Sequence, residues 1–201
     1  MREIEITKKL LRAVAHHFLE SRGYDVARDK RRGAAPGARL IATRGAEKLK
    51  IAVRTSKGRE VGLLRRVDGG GWRTVPEVDE VVVAVKSRKN HGNHTSIEVL
   101  GFDPDTLVGI FDAVTKGKKM CDSDTPVFIA LDEKAEKGST SVGVGLRAKA
   151  KWKKDIVLNA QILSALPQAE PSSLIERVKR EFAELNGVAI DKVIVEFRII
   201  T

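Results

Sequence analysis

Ala38-Arg-Leu-Ile-Ala-Thr-Arg44, then Gly45-Ala-Glu-Lys48, then Leu49-Lys-Ile-Ala-Val-Arg-Thr55 is the stretch on which the fold turns. Two apolar runs of strand length flank a short segment that contains glycine, which is the pattern of a β-hairpin. Side chains alternate between the two faces of a strand. In the second run Leu49, Ile51 and Val53 therefore share one face, and Lys50, Ala52 and Arg54 share the other. One side of the hairpin is built for a core and the other is partly cationic.

Outward from the hairpin, Ile6, Leu10, Val14 and Phe18 recur at helical spacing, so residues 4–22 are expected to form a helix that Gly23 stops. Tyr24 to Ala27 reads as a short strand, and Arg28 to Gly37 as a basic loop. Val78 to Val85 is almost entirely β-branched, the composition of a strand buried on both faces. Lys86 to Asn93 is a polar, basic loop and Ser96 to Gly101 another strand. Asp103-Pro-Asp opens a helix running to about Lys116, with Asp103 as its cap. Val127 to Leu131 follows as a strand, and the Gly/Ser-rich stretch from Asp132 to Lys149 is expected to be a mobile loop. Ile156 to Leu166 is apolar and its type stays open. A helix from Pro171 to Gly187 and a strand from Lys192 to Ile200 complete the chain. This order predicts an α+β, mixed α/β fold around one central mixed sheet flanked by helices. Residues 1–120 would form the core, and residues 121–201 an extension packed on or continuing the same sheet.

The chain has 201 residues, 42% of them hydrophobic and 32% charged, with a net charge of +10. Thirteen bases and three acids lie between Arg28 and Arg66, so that segment alone carries +10 and the remainder sums to zero. A neutral body with one basic segment points to a polyanion, above all nucleic acid. No apolar run approaches the roughly 18 residues that cross a bilayer, which argues against a membrane partner. The start has no apolar signal region, and Cys121 stands alone, which excludes an internal disulfide framework and a Cys-rich zinc site. A cytoplasmic protein is expected.

The first 120 residues resemble the PD-(D/E)xK, restriction-endonuclease-like nuclease superfamily, whose simple members include Holliday junction resolvases and homing-type nucleases. The resemblance lies in Leu19-Glu-Ser-Arg-Gly23-Tyr-Asp-Val at the end of a helix, then a basic loop, then Arg39-Leu-Ile-Ala before the hairpin turn and Leu49-Lys-Ile-Ala-Val-Arg-Thr-Ser56 after it. The family pattern has an acidic residue before Leu-Ile-Ala, then Ile-(Glu or Gln)-Val-Lys-Thr-Ser. It implies an Asp and a Glu holding magnesium, with a Lys two residues on along the same strand face. This chain departs from the pattern where it matters most. The Asp position holds Arg39 (or Ala38 beside it), the Glu position Ala52 and the Lys position Arg54. Arg repels a divalent cation and Ala has no ligand atom.

The resemblance therefore implies a nuclease-like scaffold without its cleavage centre and without a cofactor, binding nucleic acid, with duplex DNA as the ligand by analogy. Arg28, Lys30, Arg31, Arg32, Arg44, Arg54, Lys57 and Arg59 would contact phosphates, joined by Lys86, Arg88 and Lys89. Nuclease-like folds often work as dimers, so a homodimer is implied too. One alternative is a magnesium-dependent DNA endonuclease whose carboxylates have moved, with Glu5, Glu20, Asp25, Glu47 and Glu60 as the acids to test. Another is an assembly subunit whose basic face meets an acidic protein.

Other features carry less. His91 and His94 lack a local third ligand and suit phosphate contact or solvation better than metal. His16 and His17 are adjacent on a helix and cannot chelate together. Gly143-Val-Gly-Leu-Arg-Ala148 echoes a dinucleotide turn without the strand that should precede it. Trp152 within the basic run Lys149 to Lys154 suits either a base or a tucked-in position.

Overall fold

The computed structural model describes residues 5–29, 39–66, 71–89, 95–116, 126–134, 137 and 140–166. By contacts the chain divides into Met1–Leu166 and Pro167–Thr201. The expected helix from Pro171 and strand from Lys192, together with Lys30, Arg31, Arg32, His91, His94 and Cys121, lie outside the described residues.

Lys8–Ser21 forms α1, where the Thr7 hydroxyl accepts from the Leu10 amide at 3.1 Å and caps the first turn. Its stripe of Leu11, Val14, Ala15 and Leu19 is buried, and Gly23 ends it at φ 83°. Then come β1 (Asp25–Arg28), β2 (Arg39–Arg44), β3 (Glu47–Ser56) and β4 (Glu60–Leu63). A 3-10 turn at Val75–Glu77 leads to β5 (Glu80–Lys86) and β6 (Ser96–Phe102). They are followed by α2 (Pro104–Thr115), β7 (Val127–Ala130), a second 3-10 turn at Leu146–Lys149, β8 (Trp152–Val157) and α3 (Ala160–Ala165). Asp103 caps α2 by accepting from the Thr106 amide at 2.8 Å.

Six strands make one mixed sheet in the order β1-β2-β3-β5-β6-β8, with β3 and β5 parallel and the other pairs antiparallel. The α+β class is thus the observed one. The hairpin is present with a tighter turn than expected: Arg44 pairs with Glu47, leaving Gly45 and Ala46 as the loop, and Gly45 takes φ 58°. On one face Leu40, Ala42, Ile51, Val53, Val82, Ala84, Ile97 and Val99 pack with the stripe of α1. On the other, Ala52, Val81, Val83, Val85, Leu100 and Phe102 pack with Leu107 and Phe111 of α2. The five residues Val81 to Val85 are fully buried, which is why this strand shows no polar alternation.

Two features differ from the sequence expectation. First, β4 pairs with β7 as a separate two-stranded sheet over the second face of the main sheet. Second, the stretch from Asp132 to Lys149 is pinned where it is described. Leu146 is buried, Gly143 bridges to Ile129, and the Leu131 carbonyl accepts from the Arg147 amide at 2.8 Å. Trp152 takes the tucked-in one of its two expected positions: its ring lies over Gly101, meets Phe18 at 5.1 Å, and its Nε1 donates to Glu80 at 2.6 Å. The open segment from Ile156 splits between the end of β8 and α3, whose Asn159 cap accepts from the Ile162 amide at 2.7 Å. Among the described residues no helix is long and apolar enough to cross a membrane.

Candidate nucleic-acid interface

The register of β2 on β3 sets Arg39 opposite Ala52, with Arg54 two residues on along the same face. The three positions where the nuclease pattern departs are therefore neighbours in space. Arg39 starts β2, and Ala52 and Arg54 lie in the second half of β3. Lys8, Arg39, Arg54, Lys57 and Arg73 line an open cleft of about 630 Å³, with Glu60 as the one acidic side chain in its wall among the described residues. Val61, Gly62, Leu64, Pro126 and Phe128, from β4 and β7 and their ends, form an apolar part of the wall.

Arg39 donates to Glu77 at 2.9 Å, and Glu77 is itself largely exposed. Arg54 is half-buried, and its Nε is shielded from solvent without a hydrogen-bond partner. Burial first, and the Arg39 charge second, push the Arg54 guanidinium pKa down. A guanidinium keeps its proton regardless, so the consequence is an unsatisfied charge and not a neutral side chain. Such a group is stabilised by any anion that enters the cleft.

A second cluster has the opposite character. Arg59, at the turn between β3 and β4, is buried and adopts φ 51°. Each of its guanidinium nitrogens is bonded: Nε and Nη2 to Asp132 at 2.8 and 2.9 Å, Nη2 to Glu98 at 3.0 Å, and Nη1 to the Lys86 carbonyl at 2.7 Å. Burial opposes its charge, but the Asp132 and Glu98 carboxylates outweigh that and push its pKa up. Its hydrogen bonds hold Asp132 below the ordinary carboxylate range. Glu98, buried in β6, also accepts from Arg147 at 2.6 Å. Arg88 pairs with Asp132 at 3.2 Å, and Lys89 pairs with Asp155.

The expected phosphate contacts thus separate into groups. Arg54 and Lys57 meet in the cleft. Arg59 is an internal tie, and Arg88 and Lys89 are paired at its rim. Lys86 is exposed beside that cluster. Arg44 faces the α1 side, stacked over Tyr24 at 4.4 Å and bonded to Glu47 at 2.9 Å. Arg28 is exposed on the edge strand, level with Leu40. Lys48 and Lys50 are exposed and share the Arg54 face, so the cationic surface continues along the hairpin from the cleft. Lys8 and Arg73 were not anticipated. Each lies outside the basic run or its hairpin, and only the fold brings them to it.

The residues at the positions where the nuclease resemblance would place metal ligands do not fit magnesium, which needs oxygen ligands. Arg39 and Arg54 are cations, and Ala52 is fully buried in an apolar cluster with Val61 and Val81. Of the acids that could have moved, Glu60 accepts from Ser141 at 2.9 Å and Glu47 from Arg44 and Tyr24. Glu20 lies 3.4 Å from His16, while Glu5 and Asp25 are exposed. Among the described residues no three His, Cys, Asp or Glu side chains gather as a metal site requires. Comparisons with protein-family models, with curated proteins and with solved structures find no match to this chain.

Proposed function

We propose that this chain is a cytoplasmic nucleic-acid-binding protein that takes duplex DNA on a nuclease-like scaffold whose metal site is lost. The supporting observation is the cleft at the end of β3, where five cationic side chains meet one lining carboxylate. Replacing a metal-holding Asp and Glu by Arg39 and Ala52 removes the groups that would repel a phosphate, and Arg54 gains two oxygens to bond. Lys48 and Lys50 carry the positive surface along the hairpin, as a backbone-tracking contact needs.

The test is fluorescence anisotropy of a labelled duplex with the full chain over a range of salt, beside a plasmid-nicking assay with and without magnesium. Binding should weaken on added salt with a log–log slope steeper than about −3, corresponding to at least three or four phosphates neutralised. Magnesium-dependent nicking would overturn the loss of cleavage. Absence of DNA binding even at low salt would favour an acidic protein as the partner of this face.

A further inference from the structure

The two walls of the cleft differ in chemistry. Arg39, Arg54 and Lys57 come from the β2–β3 hairpin, whereas Gly62 and Phe128 come from the β4–β7 pair. Phe128 is half-buried, and its ring covers Gly62 so closely that a Cβ there would stand 2.6 Å from the ring. The missing side chain at Gly62 is what lets an aromatic ring form this wall. A volume of about 630 Å³ is that of a small-molecule site, too small for both strands of a duplex.

We infer that this cleft takes one unpaired nucleotide of a DNA strand, its phosphate between Arg54 and Lys57 and its base against Phe128. The inference rests on the nucleic-acid reading above and narrows which part of the ligand enters. An intact duplex shows the protein phosphates and base edges but no base face, because its bases are stacked on one another, and it would leave the aromatic wall unmatched. A nucleotide at a strand end or fork presents an anion and a π-face together, and a cationic groove with an aromatic platform matches both. A base contributes roughly 5- to 150-fold to affinity through such stacking.

The experiment compares three labelled DNAs of one sequence: a blunt duplex, the same duplex with a short single-stranded overhang, and the single strand. Each is titrated with the native chain, Phe128→Ala and Phe128→Leu. Leu keeps an apolar side chain on Gly62 but has no π-face, and thermal melting shows whether each variant is folded. The expected result is at least roughly fivefold tighter binding of the overhang than of the blunt duplex. Both variants should lose that preference while holding the blunt duplex as before. Equal affinity for blunt and overhang DNA would overturn the inference and leave the proposed function standing. A preference that survives in Phe128→Leu would overturn the base contact. Failure to bind any of the three DNAs would overturn the proposed function and the inference with it.

Discussion

Arg54, near the end of β3, and Arg59, in the turn that follows it, are treated by the fold in opposite ways. Arg59 is buried and each guanidinium nitrogen is bonded, to Asp132, Glu98 or the Lys86 carbonyl. Arg54 is half-buried, faces the like charge of Arg39, and holds an Nε without a partner. A matched guanidinium ties a structure together, whereas an unmatched one is a vacancy for an anion. The pair teaches that the positive charge of the 28–66 segment is divided by its partners, and only the unmatched share is available to a ligand.

The largest effect should come from Arg59→Ala. It leaves the buried Glu98 and the half-buried Asp132 each short of a partner, and breaking a buried pair in this way costs about 3–5 kcal/mol. Urea unfolding should show the midpoint fall accordingly, while DNA affinity per folded molecule stays unchanged. Arg54→Ala should behave inversely. Affinity for duplex DNA should drop by roughly 10- to 150-fold, the value of a charge-assisted hydrogen-bond pair. Stability should hold or rise, because a desolvated, unpartnered charge is removed.

Acid should sharpen the contrast. The carboxyl of Asp132 titrates below its unfolded value of about 3.9, since the Arg59 hydrogen bonds favour its ionised form. Its contribution is therefore complete above that value and is lost as pH falls through the depressed folded one. Thermal melts between pH 6 and pH 2 should show this acid-side loss diminished in Asp132→Asn. No comparable pH dependence should attach to Arg54, whose guanidinium remains protonated throughout. The smallest effect is expected of Glu77→Gln. It frees Arg39 from an exposed ion pair worth about 0–1 kcal/mol, so DNA binding should tighten by no more than a few-fold, and only at low salt.

What could be read beforehand follows the range of the forces involved. The hairpin faces were legible because strand alternation is local: Leu49, Ile51 and Val53 against Lys50, Ala52 and Arg54 needs no knowledge of the rest. The run Val81 to Val85 declared its burial by composition, and Asp103 declared its cap. By contrast β4 is four residues long and is completed by β7, far along the chain, so Glu60-Val-Gly-Leu63 carried no signal of its own. Arg59 looked like any basic loop residue until Glu98 and Asp132 closed on it. The stretch from Asp132 to Lys149 looked mobile because two anchors, Leu146 and Arg147, are hidden in polar company. At the cleft, the juxtaposition of Arg39, Ala52 and Arg54 followed from hairpin register, while Lys8, Arg73 and the Phe128 wall arrive from elements remote in sequence.

The most direct test of the central claim is the salt dependence of duplex DNA binding for the native chain, Arg54→Gln and Arg59→Gln, each measured on folded protein. If the cleft holds phosphate, Arg54→Gln lowers the magnitude of the log–log slope by about one and Arg59→Gln leaves it unchanged. An unaltered slope and affinity in Arg54→Gln, or the loss appearing in Arg59→Gln instead, would contradict the assignment of the unmatched arginine to the ligand.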